Sequence, residues 1–258
     1  MAKKTYFTIL VIGLSIFGFL TVSLASRHTS IPSFREWYSI IRQMPEEKRA
    51  ELEKTIKEKQ PEAEKRFAQK LKETEKLPQE VIARVNGVDV FFSDFARHKA
   101  FLEKQSENPI IPFEVTNEMV IKKIIEEKAI FAEAKKRNLL PKNEEIEKCV
   151  AWQKSLANEC FNDKGNKEQL DFNKKIWQAY LDGLEISEEE FWVNLAPKEY
   201  AKGLVILKLR NEVISKVPSE GSSQVEYQQK QEEAWEKYLA KLVSQARVEV
   251  IKPELFNY

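Results

Sequence analysis

The stretch VIARVNGVDVFFSDF, residues 81–95, decides the fold of the chain. Apolar and polar residues alternate on both sides of Asn86-Gly87, and this dipeptide is typical of two-residue β-hairpin turns because both turn positions need positive φ. Ser93 and Asp94 are typical helix caps, and a run with helical spacing follows them from Phe95 to about Lys104. The stretch therefore predicts two short strands followed closely by a helix.

The segments downstream of this hairpin are mostly helical in their pattern. Apolar residues recur every three or four positions, which predicts helices over residues 115–138, from 143 through 152, 168–181, 187–195, 198–217 and 226–245. Residues 217–227 contain Pro, Gly and several Ser and predict a linker. Residues 247–251 alternate like a strand, and we expect them to pair with the hairpin. The predicted fold class is mostly α, with a small β-element made of the N-terminal hairpin and a C-terminal strand.

Upstream of the hairpin, residues 46–76 are dominated by Glu, Lys and Arg of mixed sign. Pairs such as Glu53 and Lys57 have the i,i+4 spacing that supports a solvated helix. The segment lacks the sustained apolar heptad repeat of a coiled coil. We interpret residues 30–78 as a juxtamembrane segment and charged helical stalk that docks a few apolar residues on its own domain. A dedicated partner-binding helix is the alternative. Pro61 either kinks the stalk helix or starts a second one.

The N-terminus carries an uncharged run of 22 residues, 5–26, which would span about 33 Å as a helix and can cross a bilayer. Lys3 and Lys4 before it predict a cytoplasmic N-terminus and an exported bulk. Ser23-Leu24-Ala25 offers the alternative of a cleavable signal, but the run exceeds the usual signal length, which favours a retained anchor. We expect the protein in the bacterial envelope, membrane-anchored by this single helix through Tyr6, Ile9, Leu10, Leu14, Phe17 and Leu20.

The composition excludes several functions. Lys and Arg number 42 and Asp and Glu 41, so the net charge of +1 gives no electrostatic footprint for nucleic acid. Seven glycines form no phosphate-binding loop, no pattern nominates a catalytic residue, and no histidine pair accompanies the cysteines at metal-ligand spacing. We therefore predict a non-enzyme with no cofactor and no metal. Cys149 and Cys160 would lie about 16 Å apart on one helix, which favours free thiols.

Aromatic residues concentrate in the central helices. They suit the binding of unfolded chains because they bury a large area at a low cost in rotamer entropy, although most aromatic residues in a helical domain simply pack in its core. Large indoles are rarely buried completely. We therefore predict that a peptide-binding groove contains Trp152, Trp177 and Trp192.

The ordered set of elements resembles the N-terminal chaperone domain of the SurA and PrsA foldases, which is related in fold to the peptide-binding domain of trigger factor. The resemblance covers residues 83–195 and 237–255 in patches, through the stretches ARVNGVDVFFSDF, IKKIIEEKAIFAEAKKRNLLPKNEEIEK, LDGLEISEEEFWVNL and KYLAKLVSQARVEVIKPEL. Such foldases commonly insert a parvulin-type prolyl isomerase domain before the closing helix and strand. Residues 217–227 are too short to hold one. The resemblance therefore implies a chaperone module without its isomerase.

These observations divide the chain into a signal-anchor (1–29), a stalk (30–78), a SurA-N-like helical chaperone domain (79–216), a linker (217–227) and a closing helix and strand (228–258). The expected function is non-catalytic binding of unfolded or exported polypeptides. The alternative is a structural or regulatory subunit that binds one fixed partner in an envelope or secretion assembly. A residual prolyl isomerase is a third interpretation. The sequence indicates no particular oligomeric state.

Overall fold

A computed structural model describes residues 43–107, 112–162, 167–219 and 223–253, without the side chains of Cys160 and Asn162. The proposed anchor, including Tyr6 to Leu20, lies outside these residues, so its insertion in a membrane stays a prediction. Within the described ranges, no helix combines the length and the apolar character that crossing a bilayer requires.

The described chain is mostly helical, as the sequence predicts. Its elements in order are α1 Glu46–Glu75, β1 Val81–Val85, β2 Val88–Phe91, α2 Phe92–Ser106, α3 Asn117–Lys136, α4 Asn143–Asn162, α5 Lys167–Leu184, a short helical turn Glu188–Glu190, a π-helical turn Phe191–Leu195, α6 Ala196–Ile214, α7 Gln224–Ser244 and β3 Val248–Val250.

The three strands form one antiparallel sheet in the order β2-β1-β3. Asn86 and Gly87 have φ values of 50° and 79°, so both positions of the hairpin turn are left-handed, as the dipeptide predicts. The side-chain oxygen Oδ1 of Asn86 also accepts a hydrogen bond of 2.8 Å from Arg247 N–H. The predicted pairing of the C-terminal strand with the hairpin is confirmed, with Ala83 opposite Val250 and Val85 opposite Val248.

The segment interpreted as a stalk packs against its own domain far more extensively than its charges indicate. Helix α1 lies against α5 and α2, continues without interruption through Pro61, and places Phe67 and Ala68 in the core. Buried Glu64 forms an ion pair with Lys104 of α2, with 2.6 Å between Oε2 and Nζ. The buried positions recur every three or four residues on one face, and this face is obscured in the sequence because Glu64 and Thr74 belong to it.

Several helix boundaries differ from the prediction; α4, for example, continues to Asn162 instead of ending near residue 152, and two differences have a visible cause. Helix α2 begins at Phe92, because the Asp94 carboxylate accepts a 3.0 Å hydrogen bond from Phe91 N–H and so acts inside the first turn. The helices predicted on either side of Ala196 form one continuous helical path through the π-helical turn. Pro197 has no N–H to donate to the preceding turn, and the wider turn accommodates that missing bond. The capping box at Ser187 and Glu190 is confirmed.

Three clusters of buried residues hold the elements together. The first joins α1, α4, α5 and the π-helical turn and includes Phe67, Phe161, Trp177 and Phe191. The second lies between the sheet, α2 and α3. The third joins α3, α6 and α7 around Trp235. The sheet and the aromatic cluster therefore lie in different parts of the core, and α2 contributes residues to both.

Candidate polypeptide-binding surface

The structure separates the three tryptophans that the sequence analysis groups together. Trp152 on α4 is 55% exposed, whereas Trp177 on α5 and Trp192 in the π-helical turn are each only 5% exposed. A polypeptide in solution can reach Trp152 directly, but it can reach the other two only if the helices move apart. The predicted role of these three residues in peptide binding stays a prediction.

Trp177 lies at the centre of an aromatic cluster. Its ring meets that of Phe191 edge-on at 4.8 Å between centroids and stacks on that of Tyr180 at 6.1 Å. Trp192 lies 6.0 Å from Trp177, and its indole N–H donates to Glu188 Oε1 at 3.2 Å. Such geometries are favourable for aromatic pairs in a protein core. The cluster joins α5 to the π-helical turn.

A signal in the sequence points to this burial. Along α5 the buried residues Phe172, Ile176, Trp177, Tyr180 and Leu184 recur every three or four positions, which is the spacing of an inward helix face. Trp152 does not fit the corresponding face of α4, where Gln153 and Ala157 are buried. The helical spacing therefore distinguishes exposed Trp152 from buried Trp177 better than residue type does.

An ion pair joins α4 to α6 two helical turns before Trp152. Glu145 accepts from Lys208 Nζ at 2.8 and 2.9 Å and from the backbone N–H of Lys142 at 2.7 Å. These hydrogen bonds, the backbone one first, hold the pKa of Glu145 below its ordinary value. Trp152 follows Glu145 by two helical turns, or about 10 Å, and so lies on the same side of α4.

Two further exposed apolar residues are close in sequence to this ion pair. Leu207 precedes Lys208, and Leu140 lies in the connection that leads into α4; both side chains are substantially exposed. We call Leu140, Trp152 and Leu207 the Trp152 surface. Exposed large side chains of this kind carry binding energy when a partner covers them, and tryptophan contributes most among residue types.

The Cys149 thiol, on the same side of α4, has low reactivity. Cys149 is free and half-buried, and burial raises its pKa, so the group is protonated at neutral pH. The free-thiol prediction is confirmed for this residue. Cys149 and Cys160 both belong to α4, so their backbones lie about 16 Å apart along its axis.

A network of charged residues that the sequence analysis did not identify connects α2, α3 and α6. His98 Nε2 lies 3.2 Å from Glu127 Oε2, and Lys128 contacts the Asp94 carboxylate at 2.8 Å. Arg97 forms an ion pair with Glu199. Burial alone would raise the pKa of Glu127, but His98, Lys202 and Lys128 outweigh that effect and lower it well below 4.5. Glu127 therefore contributes to stability in its charged form.

Replacing Glu127 with glutamine is expected to destabilise the protein by about 1 to 3 kcal/mol at pH 7, because it removes a charged hydrogen-bond acceptor from the network. A carboxyl group whose pKa is lowered on folding makes its full contribution to stability when the pH is above its unfolded pKa of about 4.5. That contribution is lost as the pH falls toward the lowered pKa of the folded state. The stability difference between wild type and variant should therefore shrink from pH 6 to pH 3 in urea unfolding. Glu144→Gln, in an exposed pair with Lys148, is the control. A pH-independent difference would contradict this assignment.

The described residues contain no cluster of three or more His, Cys, Asp or Glu arranged to hold a metal ion. The exposed apolar side chains of the Trp152 surface suit contact with another polypeptide.

Comparison with known proteins shows a distant similarity to a bacterial foldase. The chain is 23% identical to the foldase protein PrsA of Clostridium perfringens (strain SM101 / Type A) over 168 residues, which cover 60% of this chain and 46% of the relative. The chain therefore spans about half the length of the relative that it matches. No family model matches. No solved structure matches either. The similarity supports a distant relationship to the PrsA-type foldases.

Proposed function

We propose that this protein is a membrane-anchored, extracytoplasmic chaperone that binds unfolded or exported polypeptides and delays their aggregation without covalent chemistry. The observation that carries the proposal is the exposure of Trp152 on α4, together with that of Leu140 before α4 and of Leu207 on α6, where an ion pair joins the two helices. The distant similarity to a PrsA foldase supports the same role. Anchoring by residues 5–26 belongs to the proposal, and protease protection of intact cells tests its topology.

Replacing Trp152 with alanine is expected to weaken the binding of an unfolded client at least fivefold, because loss of an exposed contact tryptophan removes more than about 1 kcal/mol of binding energy. The free energy of unfolding should change by less than about 0.5 kcal/mol, since the side chain is exposed. The measurement is suppression of light scattering when a chemically denatured client is diluted into the full-length protein. Val225→Ala, at an exposed apolar residue at the start of α7, is the matched control.

Equal activity of both variants would mean that the Trp152 surface does not bind clients. The subunit alternative makes a different prediction, which is stoichiometric co-purification with one partner and no effect on unrelated denatured clients.

The absence of an isomerase is also part of the proposal. The full-length protein should leave prolyl isomerisation of a test peptide at its spontaneous timescale of about tens to hundreds of seconds.

A further inference from the structure

The outer edge of the sheet is open along β3. This strand is last in the order β2-β1-β3, so no strand of the described chain pairs with its outer side. Val248 and Val250 are 37% and 42% exposed, although both are apolar. Proteins usually protect such an edge, because its unpaired backbone groups can accept another strand.

The hydrogen bonds between β1 and β3 show which backbone groups face that edge. Ile251 N–H donates to Ile82 O at 3.0 Å, and Asn86 N–H donates to Arg247 O at 2.9 Å. In an antiparallel ladder the residues alternate between pointing toward the partner strand and away from it. The backbone N–H and C=O groups of residues 247, 249 and 251 therefore point toward β1, and those of Val248 and Val250 point outward.

The apolar face of the sheet extends to the same edge. Val248 and Val250 lie directly opposite Val85 and Ala83, which are each 1% exposed. Opposite residues in a ladder share a face, so the two β3 valines continue the buried face beyond the cover of the helices. A strand placed beside β3 would bury them with apolar residues of its own.

The other face of the sheet carries charges that alternate from strand to strand. Asp89, Arg84 and Glu249 lie opposite one another on β2, β1 and β3. Arg84 contacts Asp89 at 2.8 Å and Glu249 only at 3.7 Å, and the Glu249 side chain is 59% exposed. The sequence of charges is negative, positive, negative, and the next position in this row would favour a positive charge.

We propose that β3 binds an extended polypeptide segment by strand addition, and that the segment carries the pattern apolar, basic, apolar. Its backbone pairs with Val248 and Val250, its two apolar side chains cover those valines, and its basic side chain lies opposite Glu249. This inference rests on the proposed chaperone role and specifies one class of client segment. Backbone pairing supplies the affinity of such binding, and side-chain pockets supply the specificity.

A proline at Val250 tests the backbone part of the inference. Val250→Pro removes an outward N–H and leaves the ladder to β1 intact, since proline is tolerated where the N–H of an edge strand faces solvent. Binding of a fluorescent ten-residue peptide, with valines on either side of a central lysine, should weaken at least tenfold in the full-length protein. Val250→Thr keeps the N–H and should bind within about threefold of wild type.

The peptide itself provides a second test that does not depend on the folding of a variant. N-methylation of the two peptide residues that face Val248 and Val250 should abolish binding to the wild-type protein, while N-methylation of the central lysine should be tolerated. Unchanged binding of the first peptide would overturn strand addition, whatever the behaviour of the proline variant.

Exchange of charge tests the specificity. Wild type should bind the lysine peptide about threefold more tightly than a glutamate peptide, as a cross-strand ion pair contributes up to about a factor of five. Glu249→Lys should reverse this preference, and the same preference in both proteins would overturn the role of Glu249.

The strand-addition inference and the proposed chaperone role can fail independently. If light scattering is suppressed but neither peptide test succeeds, only the strand-addition inference is wrong. If the peptide binds as expected without client protection, the chaperone role is wrong.

Discussion

Replacing Trp177 with alanine is expected to lower the free energy of unfolding by about 3 to 5 kcal/mol, the cost of truncating a large buried aromatic residue. The indole touches the rings of Phe161, Tyr180, Phe191 and Trp192, so its loss leaves a cavity lined by groups that cannot all move inward. Helices α1, α4 and α5 all contribute to this cluster. The cavity should therefore weaken the packing of all three helices.

Urea unfolding followed by far-UV circular dichroism measures this loss, because tryptophan fluorescence changes with the substitution itself. Trp152→Ala is the matched control, since it removes the same side chain from an exposed position and should change stability by less than about 0.5 kcal/mol. Similar values for the two variants would contradict the placement of Trp177 in the core.

Gly183→Ala is expected to destabilise the protein by about 3 kcal/mol, near the upper end for an overpacked site. A Cβ atom at this position would lie 2.4 Å from the backbone oxygen of Lys65 and 2.6 Å from the Cβ of Ala68, so α1 and α5 would have to separate. Neither neighbouring atom can rotate away. The steric effect should exceed the gain of about 1 kcal/mol that alanine brings to a helix interior.

Thermal and urea unfolding would reveal this effect, with Lys174→Ala on an exposed position of α5 as the control for helix propensity. A double variant gives a sharper test. Ala68→Gly removes the contact at 2.6 Å but leaves the Lys65 oxygen in place, so it should restore only part of the stability of Gly183→Ala. A stabilised Gly183→Ala protein would show that α1 does not approach α5 this closely.

The local signals in the sequence predicted local structure well. Asn86-Gly87 predicted the hairpin, Ser187 with Glu190 predicted a helix start, and the alternation of residues 247–251 predicted the third strand. Each of these signals depends on backbone preferences or on periodicity within a few residues. The pairing of β3 with β1 followed because a short apolar strand needs a partner.

The packing between distant elements was harder to predict. The charged pattern of α1 indicated a solvated stalk, yet a close approach at Gly183 and an ion pair between Glu64 and Lys104 bring this helix into the domain. The burial of Trp177 and Trp192 and the network around Glu127 likewise depend on which helices meet. Single-sequence periodicity shows that a helix has an inward face but does not show which helix covers it.

The pairing of Asn86 with Arg247 also has a consequence for folding during synthesis, because 161 positions separate the two residues. At about 5 to 20 residues per second, a ribosome needs roughly 10 to 30 s to make that interval. The nascent hairpin therefore waits with one side of β1 unpaired, and the outer backbone groups of Arg84 stay without their β3 partners during this time. Each newly made molecule thus passes through an incomplete state in which one edge of β1 is exposed until β3 has been made.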